Sequence, residues 1–283
     1  LLAGGCARQP APAAPVPAGT ERPDTVAQRS APAPLIRSAP DAPLPLPLEF
    51  VRAVQEGTRT LDGRPGPQYW QQRVDYRIDA ELDPETDELS GQELVVYHNR
   101  SPEVLEELVL RLYQNLYAPG VPRVEPVPVT GGMTVERLVV GGREVPIMAT
   151  GARPTPGRAG YTVDGTLMFV RLPRPVQPGD SVVLEVAWRF RVPPASAPRM
   201  GRDGDLYNIA QWYPQVAVYD DVRGWDTWPH LATGEFYLEY GRFDVSLTLP
   251  EGWLVGATGE LQNAPEVLGE VALDRLERAR SAD

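Results

Sequence analysis

The chain has 283 residues, enough for one or two domains, and its 42% hydrophobic and 8% aromatic content exclude a globally disordered polypeptide. A formal net charge of -11, with no lysine and no clustered arginine, argues against a nucleic-acid binder, which needs a concentrated basic face. Cys6 stands alone, so an internal disulfide is impossible, and no apolar run reaches the roughly 18 residues of a spanning helix.

In chain order, Leu1-Leu2-Ala3-Gly4-Gly5-Cys6 comes first. An apolar run ending in small residues before a cysteine resembles the tail of a bacterial lipoprotein signal peptide. That resemblance implies export, lipidation at Cys6 and attachment to the cell envelope (periplasm or outer membrane) by a lipid anchor only. Ala3 departs from the pattern, which usually has Leu there.

Residues 1–68 are expected to be this remnant followed by a Pro/Ala-rich tether. Eleven of the 32 prolines fall in the first 50 residues, and no aromatic precedes Phe50. Such a segment buries too little apolar surface to offset its ordering entropy, so it is expected to be disordered and extended. Within it, Leu48 to Glu56 reads as a short helical turn.

From Tyr69 the pattern alternates. Val74, Tyr76, Ile78, Ala80 and Leu82 occupy every second position, which predicts a strand with one buried face. Asp83 to Asp87 has turn chemistry, and Leu89 to His98 reads as the returning strand. Leu108, Leu110 and Leu112 alternate again. Hairpins are predicted at Gly141-Gly142 and at Asp164-Gly165. Val182 to Phe190 and Phe243 to Leu249 supply further strands. The expected class is mainly β: a saddle-like antiparallel sheet or sandwich over residues 69–265. Residues 266–283 switch period, with a helical stripe of Leu268, Val271, Ala272 and Leu276. A short C-terminal helix is expected there, with its stripe in need of a cover.

Two separated blocks carry a further resemblance. The first runs from Tyr76-Arg77-Ile78-Asp79 through Leu89-Ser90-Gly91-Gln92-Glu93 and Asn99-Arg100-Ser101-Pro102 to Leu110-Arg111-Leu112-Tyr113-Gln114-Asn115. The second runs from Gln211-Trp212-Tyr213-Pro214-Gln215 through Tyr219-Asp220-Asp221 and Gly234-Glu235-Phe236-Tyr237 to Ala257-Thr258-Gly259-Glu260-Leu261. Together they resemble the N-terminal domain of the aminopeptidase-N-type (gluzincin) zinc metallopeptidases, over about residues 69 to 265. The resemblance implies a β domain that packs on a catalytic domain and walls the cleft for the peptide's amino end. It also implies a substrate-contacting glutamine, for which Gln211 and Gln215 are the candidates. A polar residue at a strand edge is the plainer reading of each. The expected partners are a C-terminal catalytic domain outside this chain and a peptide substrate.

The family's zinc motif is His-Glu-x-x-His on a helix, two imidazoles one turn apart with the Glu as base. This chain has only His98 and His230, and neither precedes Glu. Zinc is therefore expected in the full-length protein and not on this chain, with no catalytic or metal-ligating residue here. Gly131-Gly132-Met133-Thr134-Val135 resembles the family's amino-terminus loop, but Val135 stands where Asn is needed, so it reads as a loop entering a strand. Asp220, Asp221 and Asp226 read as a solvated turn, since their spacing does not match a calcium loop. Trp212, Tyr213, Trp225 and Trp228 read as packing at a sheet edge or against a partner domain, with a binding surface as the alternative. The start without Met and the uncovered helix favour a piece of a larger peptidase. The competing reading is a stand-alone, non-catalytic envelope module that binds peptide or protein.

Overall fold

The structure is a computed structural model that describes residues 45–148, 158–234 and 236–282. Cys6 and the expected tether up to residue 44 lie outside the described residues. Residues 46–283 form one compact unit, so residues 46–68 belong with the sheets. Helix α1 (Leu48–Gln55) buries Ala53, and the hydroxyl of Thr58 donates to the Ala53 carbonyl just beyond its end.

Among the described residues fourteen strands follow: β1 (Arg73–Asp83), β2 (Glu88–His98), β3 (Leu105–Arg111), β4 (Met133–Val140), β5 (Arg143–Glu144), β6 (Gly160–Asp164), β7 (Leu167–Val176), β8 (Ser181–Arg191), β9 (Gly201–Asp203), β10 (Leu206–Asn208), β11 (Gln215–Val216), β12 (Tyr219–Asp220), β13 (Gly224–Trp225) and β14 (Phe243–Thr248). A 3-10 turn covers Tyr113–Tyr117 after β3, and helices α2 (Ala264–Val267) and α3 (Glu270–Arg280) close the described chain. The alternation read from the sequence becomes real strands for the same reason in each case: period-2 residues bury one face of a pleated ladder.

Two sheets make a sandwich. One has the order β14-β1-β2-β8-β4-β5 and the other β11-β3-β7-β6. Val74, Ile78, Val95, Tyr97, Leu184, Val186 and Trp188 from the first pack with Leu108, Leu110, Met168 and Val170 from the second in one core. Each such side chain contributes about 1.5–3 kcal/mol when fully buried. The smaller sheet has a covered second face as well, where Val109, Leu167, Phe169 and Ala217 cluster under Trp225. That explains why β3 reads as apolar on every residue from Leu108 to Leu110.

Register is fixed by a close approach. Gly91 on β2 faces Trp188 on β8, and a Cβ at Gly91 would lie 2.6 Å from the Trp188 ring. The indole occupies the space that a side chain would fill.

Two elements depart from expectation. Strand β14 pairs parallel to β1, with Tyr76 opposite Phe243 and Ile78 opposite Val245. The chain traverses the other strands before returning to the free edge of β1, so no hairpin dictates an antiparallel approach. In α3 no residue is buried; Val271 and Ala272 face outward, and only Leu273 and Leu276 are half-covered. The predicted stripe therefore rotates, because Val271 does not find a surface to pack on.

Candidate functional site

Four side chains at the end of β3 and the start of the 3-10 turn carry the site: Arg111, Tyr113, Gln114 and Asn115. Arg111, Gln114 and Asn115 are buried polar residues, and Tyr113 is buried between them. Buried polar groups must be hydrogen-bonded, and these reach across to distant loops. Arg111 donates to the carbonyls of Trp228 (2.9 Å) and Asp226 (3.0 Å) and forms an ion pair with the Asp226 carboxylate at 2.6 Å. Gln114 Nε2 donates to the carbonyls of Ala210 (3.1 Å) and Gln211 (3.0 Å). Asn115 donates to the Gly165 carbonyl and accepts from the Met133 amide.

The grip of Gln114 matters because Gln211 sits at φ 48°, a left-handed conformation uncommon for a non-glycine residue. Such strain persists only where surrounding contacts over-determine it. Arg199, also left-handed at φ 60°, stands over the Phe236 ring at 5.0 Å. The His230 imidazole packs edge-on against Tyr113 at 5.2 Å and tilted against Phe236 at 5.4 Å, and its amide donates to the Thr166 hydroxyl. Burial, followed by the charges of Arg111 and Arg199, lowers the His230 pKa to about 4, so the ring is neutral near pH 7. Burial pushes the Tyr113 phenol up to about 12 against the pull of Arg111. An open pocket of about 540 Å³ runs alongside, lined by Arg199, Met200, Asp203 and Asn208 and ending at Ala210, next to Gln211.

These side chains spend their donors inside the fold, holding in place the loops that carry Gln211, Asp226 and Trp228. They do not suit zinc. His230 lies between two aromatic rings and near two cations, a poor environment for a dication. The Nε2 of His98 is 3.1 Å from Asp75, whose carboxylate is already engaged by Arg73. No group of three or more His, Cys, Asp or Glu converges among the described residues.

No family profile matches the chain, and no curated protein matches it. Solved structures do. An M1 zinc metallopeptidase from Deinococcus radiodurans aligns at 15% identity, with a TM-score of 0.35 over 66% of this chain and 34% of that one. A mutant of an M1 zinc metallopeptidase from the same organism aligns at 16% identity and a TM-score of 0.35, again over 66% and 34%. A mutant bound to a Tyr-Ser-Ala substrate aligns at 17% identity and a TM-score of 0.33, with the same coverage. The chain thus spans about a third of the length of the structures it is similar to.

The two glutamines singled out from sequence part company. Gln211 is half-buried beside the pocket, whereas Gln215 on β11 is buried, with its Oε1 free of any hydrogen bond within the described residues. The aromatic group divides too. Trp212 packs on Trp188 at 5.8 Å, Tyr213 on Tyr76 at 5.4 Å, and Trp225 on Tyr219 at 5.0 Å; only Trp228 is largely exposed. A continuous binding surface from Trp212 to Trp228 is therefore not formed. The three aspartates are engaged separately: Asp221 with Arg59 (2.7 and 2.8 Å), Asp226 with Arg111, and Asp220 with the amides of Val222 and Arg223. Gly131 and Gly132 take positive φ and lead into β4 at Met133, as a loop entering a strand. In the sequence, Arg111 and Gln114 stand in a block that carries the family resemblance without a role of their own, and nothing local marks Arg199. The available signal was a cluster of polar residues ending an apolar strand.

Proposed function

We propose that this chain is the N-terminal, non-catalytic part of a zinc aminopeptidase, forming scaffold and cleft wall for a peptide's amino end. One observation carries the reading. The two sequence blocks behind the family resemblance, about a hundred residues apart, meet in one place: Arg111, Tyr113 and Gln114 of the first hold Asp226, Trp228, His230 and Gln211 of the second. The arrangement fixes a strained glutamine beside an open pocket, which suits a positioning role for Gln211. The zinc and its base belong to a catalytic domain outside these 283 residues, and export with lipidation at Cys6 belongs to the same proposal.

The face such a domain would cover is available. Phe243, Val245 and Leu247 continue the inner face of the larger sheet beyond the smaller one, and all three are 40% exposed or more. A second reading rests on that same edge: a stand-alone module that binds an extended peptide by strand addition to β14. The two are separated by assay. The isolated chain with added zinc is expected to release no product from aminoacyl-p-nitroanilides, and a β14-paired peptide is expected not to saturate it. Turnover above background contradicts the non-catalytic role. Saturable peptide binding lost in Val245→Pro favours the second reading.

A further inference from the structure

At the opposite side of β1 from its turn, arginines gather on a chain whose net charge is -11. A pocket of about 280 Å³ is lined by Gln71, Gln72, Arg73, Arg100, Tyr240 and Arg242, with the backbone of Gly241 between the last two. We propose that this pocket binds a phosphate-type oxyanion, held by Arg100, Arg242 and the outer face of Arg73.

The floor is built rigidly. Gln72 is 2% exposed; its Oε1 accepts from the Arg100 amide at 2.6 Å and its Nε2 donates to Asn99 at 3.3 Å. On the other side, Val74 donates to the Tyr240 carbonyl and Tyr76 to the Arg242 carbonyl. A side chain at Gly241 would collide with the Val74 carbonyl, so the two backbones lie in direct contact. The Arg242 amide donates to Asp75 at 2.7 Å. The positions of residues 73, 100 and 242 are thereby fixed by backbone and buried amide contacts rather than by their own guanidinium groups.

The guanidinium groups of Arg100 and Arg242 are free to act, and that of Arg73 in part. Asp75 engages Nε and one terminal nitrogen of Arg73, leaving the other terminal nitrogen. Among the described residues, no acid pairs with Arg100 or with Arg242. The other nearby acid, Glu239, accepts from Gln71 at 3.2 Å. The two unpaired forks of Arg100 and Arg242, with the remaining terminal nitrogen of Arg73, line one concavity and match the several oxygens of a phosphate, which an arginine can take in pairs. Exposed Tyr240 adds a hydroxyl donor at the rim.

The shared chemistry is the phosphate group, and two sources fit it: a soluble phosphate or phosphate ester, and the headgroup of an anionic phospholipid. The test uses the 283-residue chain. Inorganic phosphate is titrated calorimetrically, and the chain is co-sedimented with phosphatidylglycerol and with phosphatidylcholine vesicles. Arg100→Gln and Arg242→Gln are each expected to weaken binding about tenfold or more, the loss expected for a charge-assisted contact. Arg143→Gln removes the same charge on the β4–β5 hairpin and is expected to change nothing. Neither pocket guanidinium makes a hydrogen bond among the described residues, so both variants keep the wild-type thermal midpoint. Phosphate heat without vesicle binding assigns a soluble ligand. Phosphatidylglycerol binding that inorganic phosphate competes away assigns a headgroup. No binding to either probe, or binding that Arg143→Gln weakens as much as the pocket variants, overturns the proposal.

Discussion

Glu93 and His230 load the fold with opposite pH dependences. Glu93 is buried on the inner face of β2, near Tyr76 and Tyr213, and neither carboxyl oxygen has a hydrogen-bond partner among the described residues. Burial raises its pKa well above the ordinary carboxylate range. Its folded pKa exceeds its unfolded one, so the folded state is favoured most below the unfolded value of about 4.3 and loses stability as pH rises. Glu93→Gln keeps the shape and removes the ionisation, so its denaturation midpoint should exceed the wild type's increasingly from pH 4 to pH 8. His230 behaves the other way. Its pKa falls from 6.5 to about 4 on folding, so its contribution is complete above 6.5 and is lost as pH falls toward 4. Urea denaturation of His230→Gln should show less loss of stability between pH 6.5 and 4 than the wild type shows. A wild-type-like slope in either variant contradicts the assignment for that residue.

Between strands, the contact of Gly91 with Trp188 sets how closely β2 and β8 can pack. Gly91→Ala should lower stability by about 1–3 kcal/mol, the usual cost of overpacking, read from the urea midpoint. Adding Trp188→Phe should recover part of that loss, because the smaller ring vacates the site of the new methyl; additive losses would exclude the steric account. The strands themselves were legible in the sequence because Val74 to Leu82 and Val182 to Phe190 alternate without interruption. The hairpins at Gly141-Gly142 and Asp164-Gly165 were legible from turn chemistry. What local pattern does not carry is pairing over long sequence separation. The parallel seat of β14 on β1 depends on which edge is left open, and the rotation of α3 depends on what surface it meets. The site was legible in the same uneven way. Gln211 was marked by resemblance, but the hold of Gln114 on its carbonyl joins residues 97 apart in sequence.

Over the whole molecule, the larger sheet reaches beyond the smaller one and leaves an apolar edge. Val245 and Leu247 on the core side are 40% exposed or more, Phe243 is covered only in part by Tyr76 and Tyr213, and Leu254, Val267 and Val271 are exposed farther along. An uncovered apolar edge strand promotes association. Sedimentation velocity of the isolated chain should therefore show concentration-dependent self-association that Val245→Lys or Leu247→Lys reduces; a monomer at all concentrations would mean that the edge is not sticky. The most direct test of the central claim is to read the gene beyond the codon for Asp283. An open frame that encodes a His-Glu-x-x-His segment is the predicted result, and a stop codon directly after Asp283 would contradict the assignment to a zinc aminopeptidase.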